Sequence, residues 1–260
     1  MHVLRTIARG RELAHEIRAS RPIGTILAIL LVVNGVFILI HLAAVGLSLS
    51  GTHFDWVENR NFLLNRDGGY PEWFNYLQAA ICAFALVACW LRSRDHLYLV
   101  WATVFGFIVV DDSLSVHELL GARLDVYLNF PPLPGVRSQD TAELFVWTVA
   151  GLAFLGAGLL AWRASTVQAR HDTAILVAVL ALLACFAVVF DIFHVMLAEA
   201  VPAANLAFAT IEDGGEMLVL CLACAVTLSM AASLTAARMT PPAQGRRKAS
   251  NLETIVEVER

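Results

Sequence analysis

Charged residues are scarce in this sequence: 15% of its 260 residues are Asp, Glu, Lys or Arg, where a soluble domain carries about 25%. The deficit excludes an ordinary water-solvated globule. The basic residues are scattered at the ends of apolar runs, with no patch interleaved with aromatics, which excludes a nucleic-acid footprint. Cysteine is missing from every polar segment. Cys82, Cys89, Cys185, Cys221 and Cys224 all lie within apolar runs, so there is no secreted disulfide framework. Cys221-x-x-Cys224 stands among leucines and alanines, where a thiol acts as a small hydrophobe.

What is present is hydrophobic length. Apolar residues make up 58% of the chain, and mean hydropathy is +0.69. Runs at 22–49, 73–91, 97–120, 141–162, 173–198 and 206–235 are each long enough for a hydrocarbon core of about 30 Å at about 1.5 Å per residue. The first exceeds a signal-peptide core of about 7–15 residues, so it reads as a retained span. Asp67-Gly68-Gly69 turns the chain, and Pro71 with Glu72 suits a helical first turn. Pro131, Pro132, Pro134 and Gly135 break the chain before the fourth span.

The chain divides into three parts. Residues 1–21, with Arg5, Arg9, Arg11, Arg18 and Arg21 among apolar positions, read as an amphipathic interfacial helix. Residues 22–238 form a six-helix transmembrane domain, and 239–260 a polar tail expected to be mobile and cytoplasmic. Placing the N-terminus inside puts fourteen basic residues in inner segments and four (Arg60, Arg66, Arg123, Arg137) in outer loops. The bias predicts cytoplasmic termini. The fold class is all-α: a polytopic helical bundle of the cell (inner) membrane.

Acidic residues and histidines inside the spans carry the chemistry, since each costs about 2.5–3.5 kcal/mol at a helix centre. The third span holds Asp111, Asp112, Ser113, Ser115, His117 and Glu118; the fourth opens with Glu143. The fifth ends Asp191-Ile-Phe-His194, and the sixth opens Glu212-Asp213-Gly214-Gly215-Glu216. Odd spans run outward with polar groups near their ends, and the fourth and sixth run inward with theirs near their starts. The groups therefore converge at one depth, in the outer leaflet.

Helical spacing pairs Asp191 with His194 and Glu212 with Glu216 on shared faces. It also places Asp111, Ser115 and Glu118 on one stripe of the third span, and Ser113 with His117 on another. Polarity around most of its girth makes that span the expected central helix. Gly214 and Gly215 allow close helix approach. His41, in the first span, reads as a satisfied packing histidine, Asp213 as a helix-start acid, and Ser113 and Ser115 as back-bonded to their helix. His53, in an outer loop, is placed where it could line an entrance.

These spans contain no Lys or Arg to neutralise so many carboxylates, so the acids are protonated or metal-bound. Asp112, His117, Glu118, Glu143, Asp191, His194, Glu212 and Glu216 are the candidate metal ligands. Asp111, Glu118 and Glu216 are the candidate catalytic acids and bases. A few imidazoles among many oxygens favour Fe or Mn, with Zn compatible. Two hairpins, each pairing an acid-plus-His helix with an acid helix, are similar in ligand logic to di-iron carboxylate bundles.

The expected function is a metal-dependent membrane enzyme, a hydrolase or a di-metal oxidoreductase, acting on a lipid-phase or periplasmic small molecule. A hydrolase would use metal-activated water and a carboxylate base. Two alternatives stand beside it: a proton- or cation-coupled transport protein, and an accessory subunit with a structural polar core. Membrane lipid is the expected surrounding partner, nucleic acid is not, and oligomerisation is left open.

The segments Asn65-Arg-Asp67-Gly-Gly-Tyr-Pro71-Glu-Trp-Phe, Asp111-Asp112-x4-His117-Glu118 and Glu212-Asp213-x-x-Glu216 resemble an uncharacterised family of multi-pass bacterial membrane proteins over roughly residues 60–230. That resemblance implies the architecture and the site, with no assigned activity. Ser113-x-x-x-His117 is also similar to a motif of the alkaline ceramidase-like membrane hydrolases. Those enzymes have seven spans and a His-x-x-x-His pair where this chain has Glu212-x-x-x-Glu216.

Overall fold

The computed structural model describes residues 2–51, 60–131, 137–190, 193 and 202–239. Eight α-helices and no strand occur among the described residues: α1 (His2–Ala19), α2 (Arg21–Leu49), α3 (Tyr70–Ser93), α4 (His96–Ser113), α5 (Val116–Leu128), α6 (Ser138–Trp162), α7 (Val167–Ala184) and α8 (Pro202–Met239). A six-residue π-helical turn, Cys185–Phe190, continues α7. Six helices are long and apolar enough to cross a membrane: α2, α3, α4, α6, α7 with its π turn, and α8. The expected number of spans is met. The tail beyond Met239 and the loop at His53 lie outside the described residues.

The helices start where local chemistry directs them. Gly68 takes φ +70° and Gly69 caps α3, with Pro71 and Glu72 in its first turn. Asp95 caps α4 by accepting from Leu97 N at 3.1 Å, and its other oxygen accepts from Thr166 N at 2.7 Å. One side chain thus fastens the α3–α4 turn to the α6–α7 turn, and Thr166 in turn caps α7 by accepting from Ala169 N.

The core centres on α3, which packs along α4 and along α8. Cys82 and Cys224 touch there, sulfur to sulfur at 3.6 Å, and the Cys224 thiol donates to the Gln78 carbonyl at 3.2 Å. The thiols fill space, as small hydrophobes do. α8 is the most interior span, 61% buried against 44% for α4. The third span is therefore not the central helix. Its polarity spreads around the girth because its helix stops at Ser113, so residues beyond that point never wrap the same cylinder.

A buried polar layer fixes the register. Asn34 of α2 donates to Gln78 of α3 at 3.3 Å and to the Met217 carbonyl of α8 at 3.0 Å. One turn or two further along α2, His41 Nδ1 accepts from Leu64 N at 3.2 Å. Its Nε2 is buried with no hydrogen-bond partner among the described residues.

At the opposite end of the bundle, α1 docks against α7 and α8. Arg9 Nε donates to Asp172 at 2.7 Å and its terminal nitrogen to Ser233 Oγ at 3.0 Å. Tyr98 donates to the same fully buried Asp172 at 2.6 Å, and Thr6 meets His171 at 3.0 Å. Burial alone would lower the Arg9 pKa, but the hydrogen bond and charge of Asp172 outweigh it and raise the pKa above the ordinary value. α1 buries Leu13 and leaves Val3, Leu4 and Ile7 exposed. It is also pinned to the bundle.

Candidate metal centre

The site forms where α4 breaks. Asp111-Asp112-Ser113-Leu114-Ser115 is rich in short polar side chains that compete with helical hydrogen bonding. Leu114 N still reaches the Val110 carbonyl at 3.1 Å. Ser115 then takes φ +46°, the left-handed region that is unfavourable without a glycine. The Ser115 carbonyl accepts from Leu119 N at 2.9 Å, and α5 begins. At 13 residues, α5 rises about 20 Å, too short to span.

Asp111 stitches this break. One carboxylate oxygen accepts from the His117 backbone N at 2.9 Å; the other lies 2.8 Å from His117 Nδ1. Asp111 is fully buried and His117 half-buried. The residues are six apart in sequence, a spacing that an unbroken helix would turn to different faces.

Asp112 supplies the second carboxylate. Its backbone carbonyl accepts from the Tyr76 hydroxyl at 3.1 Å, and that hydroxyl also meets the Glu72 carboxylate. The other Glu72 oxygen accepts from Gly68 N. The start of α3 thereby holds the end of α4 in place. Ligand atoms of Asp111, Asp112 and His117 all lie within 4.8 Å of one another.

The surroundings favour cationic charge. His117 lies beyond the end of the span. Burial pushes its pKa down, but the Asp111 hydrogen bond and the Asp111, Asp112 and Glu143 carboxylates prevail and hold it above the ordinary value. Glu143 accepts from Gln139 at 2.8 Å and packs against Gly121 of α5. A Cβ at Gly121 would stand 2.5 Å from Glu143 Cγ, so glycine is what lets α5 and α6 close here. Trp147 covers the imidazole, ring centroids 6.0 Å apart, and packs edge-on against Phe107.

The other expected ligands fall in three places. Glu118 points to an exposed surface of α5. Glu212, Asp213 and Glu216 are half-buried on α8, each with an interaction of its own. Asp191 and His194 lie outside the described residues, just past the π turn. Depth can be read from the Asn34–Gln78–Met217 layer: Glu216 adjoins Met217, and Tyr76, two residues before Gln78, reaches Asp112. α4, which carries Asp112, and α8, which carries Glu216, both pack along α3. Gly215 admits the Phe186 ring of the π turn, which a Cβ there would meet at 2.2 Å.

Sequence reasoning missed two supports of this site. Glu72 reads as a helix-start acid, yet with Tyr76 it anchors the Asp112 backbone. The break at Ser115 had a legible signal, the run of Asp and Ser, but an unbroken apolar span masks it.

Two carboxylates and one imidazole suit a divalent transition metal, and three protein donors leave coordination positions open, as catalytic sites require. The donor chemistry fits a metal.

No curated protein and no solved structure matches the chain. A family profile described as a domain of unknown function, DUF8692, matches residues 24–232. That span takes in α3 to α7, nearly all of α2 and most of α8, so this chain belongs to the DUF8692 family.

Proposed function

We propose that this protein is a metal-dependent membrane enzyme whose centre is built on Asp111, Asp112 and His117. The observation that carries the reading is the convergence of their ligand atoms within 4.8 Å, in a largely buried site. Fe or Mn is the favoured ion and Zn is compatible. A bound divalent ion would supply Lewis acidity and a more acidic water. Asp111 orients the imidazole, Tyr76 and Glu72 fix the Asp112 backbone, and Trp147 screens the ring from bulk water. Glu143 is the nearby carboxylate placed to hold a proton. The substrate is a small molecule of the lipid phase or the periplasm, and the site lies in the outer leaflet of a bacterial inner membrane.

Ser113 is a poor nucleophile in this arrangement. Its hydroxyl is exposed and turned to the Val110 carbonyl at 3.5 Å, and the break removes it from the helical face of His117. A metal-centred hydrolase or oxidoreductase therefore fits better than a Ser–His hydrolase.

The second reading is proton relay for transport. It draws on the 2.8 Å Asp111–His117 contact and the raised imidazole pKa, which together make a proton-holding pair. Titrating Fe(II), Mn(II) and Zn(II) into chelator-stripped protein separates the readings. The enzyme reading expects saturable binding that Asp111→Asn and His117→Ala weaken. Absence of binding, with proton uptake by proteoliposomes, would favour relay.

A further inference from the structure

The candidate ligands sit on two bodies. Asp111 and Asp112 close α4, whose eight buried residues tie it into the core and whose end Tyr76 holds to α3. His117, Glu143 and Trp147 ride on the α5–α6 hairpin. Among the described residues of α5 and α6, Gly121 and Ala142 alone are buried. Gly121 is closed by Glu143, the neighbour of Ala142, so this burial lies inside the hairpin and not at its seam with the bundle. No residue in the most apolar stretch of α6 is buried. The hairpin is fastened at the end remote from the site. There Arg170 of α7 donates to the Trp162 carbonyl at 3.0 Å and lies over its ring at 5.4 Å. At the site's end the seam is held by the Asp111–His117 contacts and by the rings of Trp147 and Phe154, edge-on against Phe107.

Such a unit opens at low cost, because it has few buried contacts to break. Ser115, at φ +46° between α4 and α5, is the kind of element-terminal residue that absorbs a hinge rotation. The rim of the site says what could enter. Val110 and Leu114, four residues apart and on one face, are 50% and 67% exposed, and Leu119 of α5 is 52% exposed. Beside apolar spans, such side chains meet acyl chains. We infer that the α5–α6 hairpin is a gate, hinged at Ser115, that opens the site sideways to the membrane and admits a lipid-phase amphiphile. Its polar group reaches Asp112 and His117, and its apolar body stays beside Val110 and Leu114. With Asp111, Asp112 and His117 read as the reactive site, the gate narrows the substrate class to molecules of the lipid phase. Closure returns His117 to Asp111 and Asp112 and completes the donor set.

The test is pulsed electron–electron spectroscopy on the full chain in lipid nanodiscs, with spin labels on Asn65→Cys and Tyr127→Cys, both exposed positions. Cys185→Ala removes the half-buried native thiol; Cys82, Cys89, Cys221 and Cys224 are at most 2% exposed. Chelator-treated protein is expected to show two distances, the second longer by about 8–10 Å, one interhelix spacing. Asp111→Asn and, separately, Phe107→Ala loosen the seam. Each should raise the longer population about fivefold relative to the closed one, as for the loss of one hydrogen bond. Zn(II), which favours the closed state that unites its ligands, should lower it. A spin label on Leu114→Cys should be relaxed more by oxygen, which concentrates in lipid, than by a water-soluble nickel chelate. A single distance that neither variant lengthens overturns the gate. A Leu114 label reached better by the nickel chelate overturns entry from the lipid. Variants that lengthen the distance while Zn(II) leaves it unchanged uphold the gate and count against the metal reading alone.

Discussion

Asp111 holds His117 twice, by backbone N at 2.9 Å and by ring Nδ1 at 2.8 Å, across a break in the helix that carries them. The contact joins the end of α4 to the start of α5, with Asp112 alongside. It also makes the imidazole a titrating group whose folded-state pKa lies above its ordinary value, burial notwithstanding.

A pH dependence follows for the metal-free protein. A histidine with a raised folded pKa stabilises the fold fully below its unfolded value, about 6.5, and loses that contribution as pH rises through the folded pKa. Thermal melts in chelator from acid to alkaline pH should show stability falling across that interval. Asp111→Asn should flatten the profile. An unchanged profile in the variant would show that the Asp111 contact is not its cause.

The clamp at the other end has its own test. Arg9→Ala leaves the fully buried Asp172 without its cation, and breaking such a pair costs about 3–5 kcal/mol. Detergent melts should register a large loss for Arg9→Ala, and a smaller one when Asp172→Asn removes the stranded charge as well. Equal stability of Arg9→Ala and wild type would show that α1 is not fastened by this pair.

Gly121→Ala should destabilise by about 1–3 kcal/mol, the usual cost of overpacking. The new Cβ would press on the backbone N and Cα of Glu143 at 3.1 and 3.2 Å as well as on its side chain. Gly151→Ala, with nothing within 4 Å of the added atom, should be tolerated. Comparable melts for the two would contradict the close α5–α6 approach.

Topology is open to direct labelling. Single cysteines at the exposed positions Asp67 and Asn129 should react with impermeant thiol reagents from outside. A cysteine at Ala164, exposed at the other end, should react only after permeabilisation. The reverse pattern would overturn the orientation drawn from the basic residues.

The spans were legible because length and hydropathy are one-dimensional properties, and Pro71 with Glu72 announced the start of α3. Relationships that depend on three dimensions were not. Asp172 looks like a solvated acid at a span boundary; its cation, Arg9, is 163 residues away. The pairing of Asp111 with His117 was hidden by assuming one helix through residue 120, which put Ser113 and His117 on a shared face and Asp111 elsewhere. Of Gly214 and Gly215, expected to allow close approach, Gly215 does so, with Phe186 filling the space, while Gly214 has only ordinary contacts with Ile38 and Leu64.

The central claim is that Asp111, Asp112 and His117 hold a metal ion. Elemental analysis of detergent-purified protein, expressed in metal-supplemented medium, tests it most directly alongside His117→Ala and Asp213→Ala. Stoichiometric transition metal is expected in wild type and in Asp213→Ala, with metal affinity lowered at least about tenfold in His117→Ala, since loss of even a supporting group costs about 10–100-fold. Folded wild-type protein with no metal above background would contradict it.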